Sequence, residues 1–453
     1  MSPVARLKSC FFGFLLFFWS NAACLGQASA QPLGIDLLQR EGRYVIDLPT
    51  AMRLANAQNL DVQIAREKMK EAIALQENAK FKFFPTFSPG IGYRRHDNLI
   101  QAVDGQIISV HKQSYAPGLT IGGQWDFGET IYQSLAAKQQ AKSAEHRLES
   151  QRQDSVLLAI LNYFDLQFSH AAIQVAQESL RISTNYETQL SQAVAAGLAF
   201  KGDQLRVQVQ SERSSATLRR AREQERIAAA RLAQSLHLDS AIELVTHDTD
   251  FAPLLLVETN TTLASLVQET LANRSEMKEA KANYAAALES EKGAVYGPLI
   301  PSLGAQVFTG GLAGDSDAGP ARFGAQEDYA VGLSWKIGPG GIFDSSRKKA
   351  AAARLQAAQL ADAKVRDEVA VQVVESFTRI QSLQDQIESA RRALHSAENG
   401  LALAQQRREF SVGIVLENIL AEQDLTRARF DYLKAVAEFN KTQYALKRAT
   451  GKL

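Results

Sequence analysis

Cysteine is nearly missing from this chain: two occur in 453 residues, Cys10 and Cys24, both ahead of residue 30. That excludes a disulfide framework and a cysteine-based zinc site from the remainder. Neither sign of charge is in excess, with 50 Lys and Arg against 49 Asp and Glu. A nucleic-acid binder held by bulk basic charge is thereby excluded. Four methionines make no thioether cluster for copper. Of the seven histidines (His96, His111, His146, His170, His237, His247 and His395) no two sit at metal-ligand spacing. HExxH, GxSxG and Walker-type glycine loops are lacking too. No catalytic, metal or cofactor site is expected, and the chain reads as a non-enzyme. At 45% apolar residues it is no acidic disordered polymer either.

The long apolar run, at 11–19, follows Arg6 and Lys8 and leads to a small-residue stretch ending Ala28-Ser29-Ala30. A basic start, about ten apolar residues and an A-x-A site describe a secretory signal peptide at 1–30, too short for a membrane span of about 20 residues. Cleavage is expected after Ala30; lipid attachment at Cys24 is the alternative. No later run of about 18 apolar residues is expected to cross a membrane as a helix.

What is present is a pattern written twice. MRLANAQNLDVQIA at 52–65 resembles ETLANRSEMKEAKA at 269–282. Pro85 pairs with Pro301 and Gly197 with Gly413, each 216 residues apart, while Trp125 and Trp335 are 210 apart. The first half is expected at 31–246 and the second at 247–453. Each reads helix, strand, strand, long helix, helix. The first helix runs from a cap at Asp47 to about residue 82, where Phe84-Pro85 ends it. No proline or glycine occurs at 130–193. There Leu157, Leu161, Phe164, Phe168, Ala171 and Val175 predict a coiled-coil seam in a helix of about 96 Å. Gly197 interrupts it before a helix at 203–236. The second half predicts helix to about residue 296, a long helix at 344–410, the break at Gly413 and helix to about residue 448.

Four segments alternate. Tyr329, Val331, Leu333, Trp335 and Ile337 interleave with Ala330, Gly332, Ser334 and Lys336. Leu119, Ile121, Trp125 and Phe127 interleave with Thr120, Gly122, Gln124 and Asp126, and segments near 87–93 and 303–307 do likewise. Large apolar groups on one face and small or polar ones on the other fit a half-buried sheet or a lipid-facing barrel with a wet interior. Lengths near nine residues, long polar connections at 94–116 and 310–326, and Trp125, Phe127 and Trp335 as interface aromatics favour the barrel. Four strands cannot close a barrel, because open edges in lipid leave backbone groups unpaired, so oligomerisation is required.

The ordered set of these features resembles the TolC-like outer-membrane efflux protein family over nearly all of the mature chain. The motifs are LANAQNLDVQIA and LANRSEMKEAKA, Pro85 and Pro301, the turns at Trp125 and Trp335, and the tips at Gly197 and Gly413. The resemblance implies a mainly α fold with a membrane β part. A long helical coiled-coil barrel would join four β-strands per chain in a twelve-stranded barrel of a homotrimer. It implies an outer-membrane channel with a periplasmic helical extension, the passive exit duct of a tripartite efflux or type I secretion complex. Its cargo would be small molecules, drugs, metals or polypeptides. Its partners would be a periplasmic adaptor, an inner-membrane pump of RND, MFS or ABC type, and outer-membrane lipid, with no nucleic acid. A soluble periplasmic coiled-coil scaffold is the alternative reading. By position, Ala196, Gly197, Leu198, Val412, Gly413 and Ile414 would meet the adaptor and close the periplasmic end. Where the family places acidic residues at the tunnel entrance, this chain has Asn418 and Ala421, with Glu417 and Glu422 beside them, and Asp203 and Glu417 are expected to supply that charge. Asp203 reads locally as a helix N-cap.

Overall fold

The computed structural model describes residues 38–40, 43–239, 241–246, 251–256, 262–316, 319–320, 323–409 and 414–453. The expected targeting segment with Cys10 and Cys24, and Val412 and Gly413 of the second tip, lie outside the described residues. In chain order the elements are β1 Leu38–Arg40, β2 Arg43–Ile46, α1 Leu48–Gln58, α2 Leu60–Phe81, β3 Thr86–Gln101, β4 Ile107–Trp125, α3 Phe127–Ala195 and α4 Lys201–Ser235. There follow β5 Leu244–Thr246, α5 Leu263–Asn273, α6 Ser275–Tyr296, β6 Ser302–Ser316, β7 Gly319–Pro320, β8 Gly324–Ser334, α7 Ser345–Glu409 and α8 Val415–Ala449. Lengths recur between the halves: α1 and α5 have 11 residues, α2 and α6 have 22, and α4 and α8 have 35.

Asp47 caps α1 as expected, accepting a hydrogen bond from the Thr50 N–H over 3.0 Å. The helix it starts does not continue to residue 82; it stops at Asn59 and restarts as α2. Asn59 carries the break, its Oδ1 accepting from the Asp61 N–H over 2.8 Å while its Nδ2 donates to the Ser235 carbonyl over 3.0 Å. The second half breaks likewise at Arg274, between α5 and α6. Its guanidinium donates to the Ala449 carbonyl at the end of α8 over 3.3 Å. In both halves a polar side chain at the break covers a carbonyl that the end of another helix leaves unpaired.

α3 spans 69 residues, about 104 Å at about 1.5 Å per residue. It packs against α1, α2, α4, α6 and α8, and α7 packs against α6 and α8. The helices therefore form one layer in the order α2 and α4, then α3, then α6 and α8, then α7. The predicted seam is corrected by this packing. Phe164 is buried, but Leu157, Leu161, Phe168, Ala171 and Val175 are half-buried. The buried face is rotated onto Ala159, Ile160, Tyr163, Leu166, Ala172, Ile173 and Ala176, because α3 meets neighbours on several sides instead of one partner along a narrow stripe. Its apolar middle joins Ile46, Leu54, Leu232, Leu236 and Leu244 in the largest core cluster. Part of α3 is long and apolar enough to cross a membrane, contrary to expectation. That helix carries the core residues just named.

The strands form an antiparallel meander, β3-β4-β6-β8, with the two-residue β7 also on β6. They are longer than the nine residues expected, at 16, 19, 15 and 11. Most of the supposed polar loops at 94–116 and 310–326 is strand: Arg94 pairs with Ser114 and Gly311 with Ala325. Alternation holds across the sheet. Phe87, Ile121, Val307 and Tyr329 form one cross-strand row, and Ser88, Thr120, Phe308 and Asp328 form the next, on the opposite face.

Candidate functional site: the helical tips and the outward sheet face

The first tip is built by backbone geometry. The Leu198 N–H donates to the Ala193 carbonyl over 2.8 Å and the Gly197 N–H to the Val194 carbonyl over 3.0 Å, the paired closure of a Schellman motif. Gly197 has φ +75°, a left-handed conformation open to glycine at little cost, and a Cβ there would meet nothing within 4 Å. Glycine is therefore required by the turn and not by crowding. Ala196 is the C-cap of α3, and Leu198 stands 83% exposed beyond it. From the second tip Ile414 is described, as the N-cap of α8, and it too is exposed. Phe200, Leu205, Leu416 and Leu420 extend this apolar exposure over both tips. Beneath it Tyr186, Leu190, Val207 and Ile419 pack together, so α3, α4 and α8 share one core at this end.

Asp203 does not cap α4. Phe200 holds that position without a side-chain hydrogen bond, and Asp203 lies in the first turn, 3.3 Å from the Arg206 guanidinium. Glu417 lies in the first turn of α8 and pairs with Arg407 at 3.1 Å. Arg408 stacks over the Tyr186 ring at 4.9 Å, linking α7 to α3. Sequence reasoning left one residue of this end, Glu422, without a role. Glu422 is 3% exposed, and the Ser179 hydroxyl donates to its Oε1 over 3.3 Å. The signal was present: Ile419, Glu422 and Leu425 are all buried at three-residue spacing on α8, a core stripe with a carboxyl in the middle.

At the other end one face of the sheet is apolar. Phe87, Ile91, Tyr329, Val331 and Leu333 are between 63% and 80% exposed, and Gly90, Gly92, Gly304 and Gly332 alternate with them. The three interface aromatics differ in setting. Trp335 follows the end of β8, is exposed and donates its Nε1–H to the Leu299 carbonyl over 3.4 Å. Trp125 ends β4 half-buried, with its Nε1–H unpaired. Phe127 is the first residue of α3, not a strand residue, and stacks on Phe83 at 6.4 Å. Among the described residues no cluster of His, Cys, Asp and Glu has the arrangement of a metal site.

A layer of very long helices joined to a four-stranded antiparallel meander is a distinctive combination. Residues 266–452 match the family model described as Outer membrane efflux protein. The fold is that of solved outer-membrane channels. The Campylobacter jejuni CmeC outer membrane channel is similar at TM-score 0.77 and 15% identity, over 89% of this chain and 85% of that one. The outer membrane protein VceC from Vibrio cholerae matches at TM-score 0.74 and 17% identity, over 89% and 96% of the two chains. The open state of the Neisseria gonorrhoeae MtrE outer membrane channel matches at TM-score 0.73 and 16% identity, over 89% and 88%. A comparison with curated proteins gave no match. Two of these neighbours are described as channels, and the fold implied by the resemblance read from the residues is the one these structures share.

Proposed function

We propose that this chain forms an outer-membrane channel, the passive exit duct of a tripartite efflux or type I secretion assembly. The observation that carries the reading is the coincidence of open edges. The sheet ends at β3 on one side and β8 on the other. The helical layer ends at α2 and α4 on the first side and at α7 on the second. One rotation between copies would close both layers together, pairing strand edges that lipid cannot solvate. The exposed apolar side chains of the edge helices support this: Leu60, Ile64 and Leu75 on α2, and Leu360, Val371 and Leu403 on α7.

Three copies would give twelve strands and a helical tunnel about 100 Å long. The recurrent helix lengths support reading each copy as two similar halves, 31–246 and 247–453. The exposed apolar tips at Leu198, Phe200, Ile414 and Leu416 suit a periplasmic adaptor, with Ala196 and Gly197 in the first turn, Val412 and Gly413 at the matching sequence positions, and an inner-membrane pump beyond it. A soluble scaffold would leave the row of Phe87, Ile91, Val331 and Leu333 in water, at a cost that favours lipid.

The purified full chain tests this. In detergent its mass should be that of three chains, and in planar bilayers it should conduct. A monodisperse monomer without detergent, or a trimer with no conductance, would count against the channel.

A further inference from the structure

A polar layer interrupts the core of the helical tips. On one side Ile173, Ala176, Leu218 and Ala221 form an apolar cluster; on the other stand Tyr186, Leu190, Val207 and Ile419. Between them lie Ser179 on α3, Ser211 and Ser214 on α4, and Asn418 and Glu422 on α8, all buried. The hydrogen bonding of this layer is incomplete. The Ser179 hydroxyl lies 3.3 Å from both the Glu422 carboxyl and the Ser214 hydroxyl. The Ser211 hydroxyl has no partner, and the Asn418 carboxamide closes no hydrogen bond of good geometry.

Among the described residues no cation compensates Glu422. On α3, Arg181 is held by Glu178 at 2.6 Å, and on α4 Arg206 is held by Asp203 at 3.3 Å, while Glu212 and Arg213 are exposed. On α8, Glu417 pairs with Arg407 of α7, Asp424 lines the groove towards α7, and Arg429 acts on Glu178. Arg408 of α7 is committed to the Tyr186 ring, and Glu398 on the same helix is exposed. Burial and the Ser179 hydroxyl are what act on the carboxyl. An ionised carboxylate can accept about four hydrogen bonds, and this site supplies one. A neutral carboxyl fits; a carboxylate would be left buried with unpaired acceptor sites.

We propose that the Glu422 layer is a proton-operated joint that seats α8 against α3 and α4 when protonated and releases it when the proton leaves to solvent. Burial pushes Glu422 up to about 7, against the smaller lowering effect of Ser179. The sign follows. From the ordinary value of 4.5 up to about 7 the seated form keeps a proton that the released, hydrated form would lose. Seating is strongest below about 4.5, weakens as pH rises from there to about 7, and changes little beyond. As α8 starts at this end, where its Glu417 pairs with Arg407 of α7, its release would loosen that end; this consequence rests on the channel reading, whereas the joint itself does not.

Hydrogen exchange on the intact purified protein in detergent tests the joint, following peptides that cover 415–430 from pH 5.5 to 8.5. After correction for intrinsic exchange, protection should fall roughly tenfold per pH unit from 5.5 to about 7 and level off above it. Glu422→Gln should hold the acid-like protection throughout. If that variant folds poorly, Glu422→Leu should also remove the pH dependence by filling the layer with apolar atoms. A flat wild-type profile, or an equal fall in the variants, overturns the proposal. Bilayer conductance over the same range should rise with pH in the wild type alone. A protein that never conducts while its exchange behaves as stated defeats the channel reading and leaves the joint standing.

Discussion

Asn59 donates its amide to the carbonyl of Ser235, 176 positions away in the chain, over 3.0 Å. The same side chain accepts from the Asp61 N–H and from the Ser155 hydroxyl, so one buried residue joins the start of α2, the end of α4 and the side of α3. Asn59→Ala removes a helix cap and leaves buried groups unpaired. The cost should be about 1–3 kcal/mol, read as a lower thermal midpoint of the purified protein. Asn59→Asp should recover only part of it, since the bond to Ser235 needs a donor.

The second break is held by charge. Arg448 and Arg274 both donate to Glu276; the Arg448 Nε also reaches Asp154 over 2.8 Å and the Arg274 Nη2 reaches Gln372 over 2.6 Å. Burial pushes the Glu276 carboxyl up, but the hydrogen bonds from Arg448 and Arg274 with their positive charge outweigh it and hold the group at about 2. Its folded value is depressed, so its contribution is complete above about 4.5 and is lost as pH falls towards about 2. Glu276→Gln should leave two buried guanidiniums undercompensated and cost about 3–5 kcal/mol at neutral pH. Denaturant melts at pH 7 and pH 3 check this: the gap between wild type and variant should narrow in acid.

Gly197 should tolerate no side chain cheaply despite its open surroundings. At φ +75° an alanine pays about 1 kcal/mol for the left-handed backbone alone. Gly197→Ala should raise the rate of proteolytic cleavage at 193–200 while leaving the global melting midpoint nearly unchanged. Equal loss at both readouts would mean that the turn is part of the global cooperative unit.

The two sheet faces should respond oppositely. Val331→Arg places charge on the outward row and should cost about 2–4 kcal/mol of folding into lipid vesicles. Gly332→Ser points to the other face, where a Cβ meets nothing within 4 Å, and should fold as the wild type does. Comparable losses for both would argue that this sheet does not face lipid.

The alternation of Val331 and Gly332 was legible because the two faces of a strand impose different demands on neighbouring residues. Strand length was not, since 94–101 carries polar groups on both faces and reads as loop until pairing with 107–114 is known. The helix break at Asn59 was equally hidden: no proline or glycine marks it, and its cause lies in Ser235. The seam through Leu157 and Leu161 failed for a related reason, since one heptad stripe describes one partner and α3 has several. Gly197 was readable as a turn because its conformation is local. Glu422 was left without a role because its surroundings come from three helices far apart in sequence.

Asp203 and Glu417 carry the proposed charge at the tunnel entrance, and each already has an arginine beside it, Arg206 at 3.3 Å and Arg407 at 3.1 Å. These exposed pairs are worth about 0–1 kcal/mol each, so removing the carboxylates should hardly change stability. Their electrostatic effect is larger than their energetic one. Asp203→Asn with Glu417→Gln deletes two negative charges per chain and leaves two guanidiniums unneutralised, multiplied by the copies around the axis. In bilayers under a salt gradient the reversal potential of the double variant should shift towards anions, more strongly at low ionic strength, where screening is weaker. A reversal potential equal to that of the wild type at low salt would remove both residues from the permeation path.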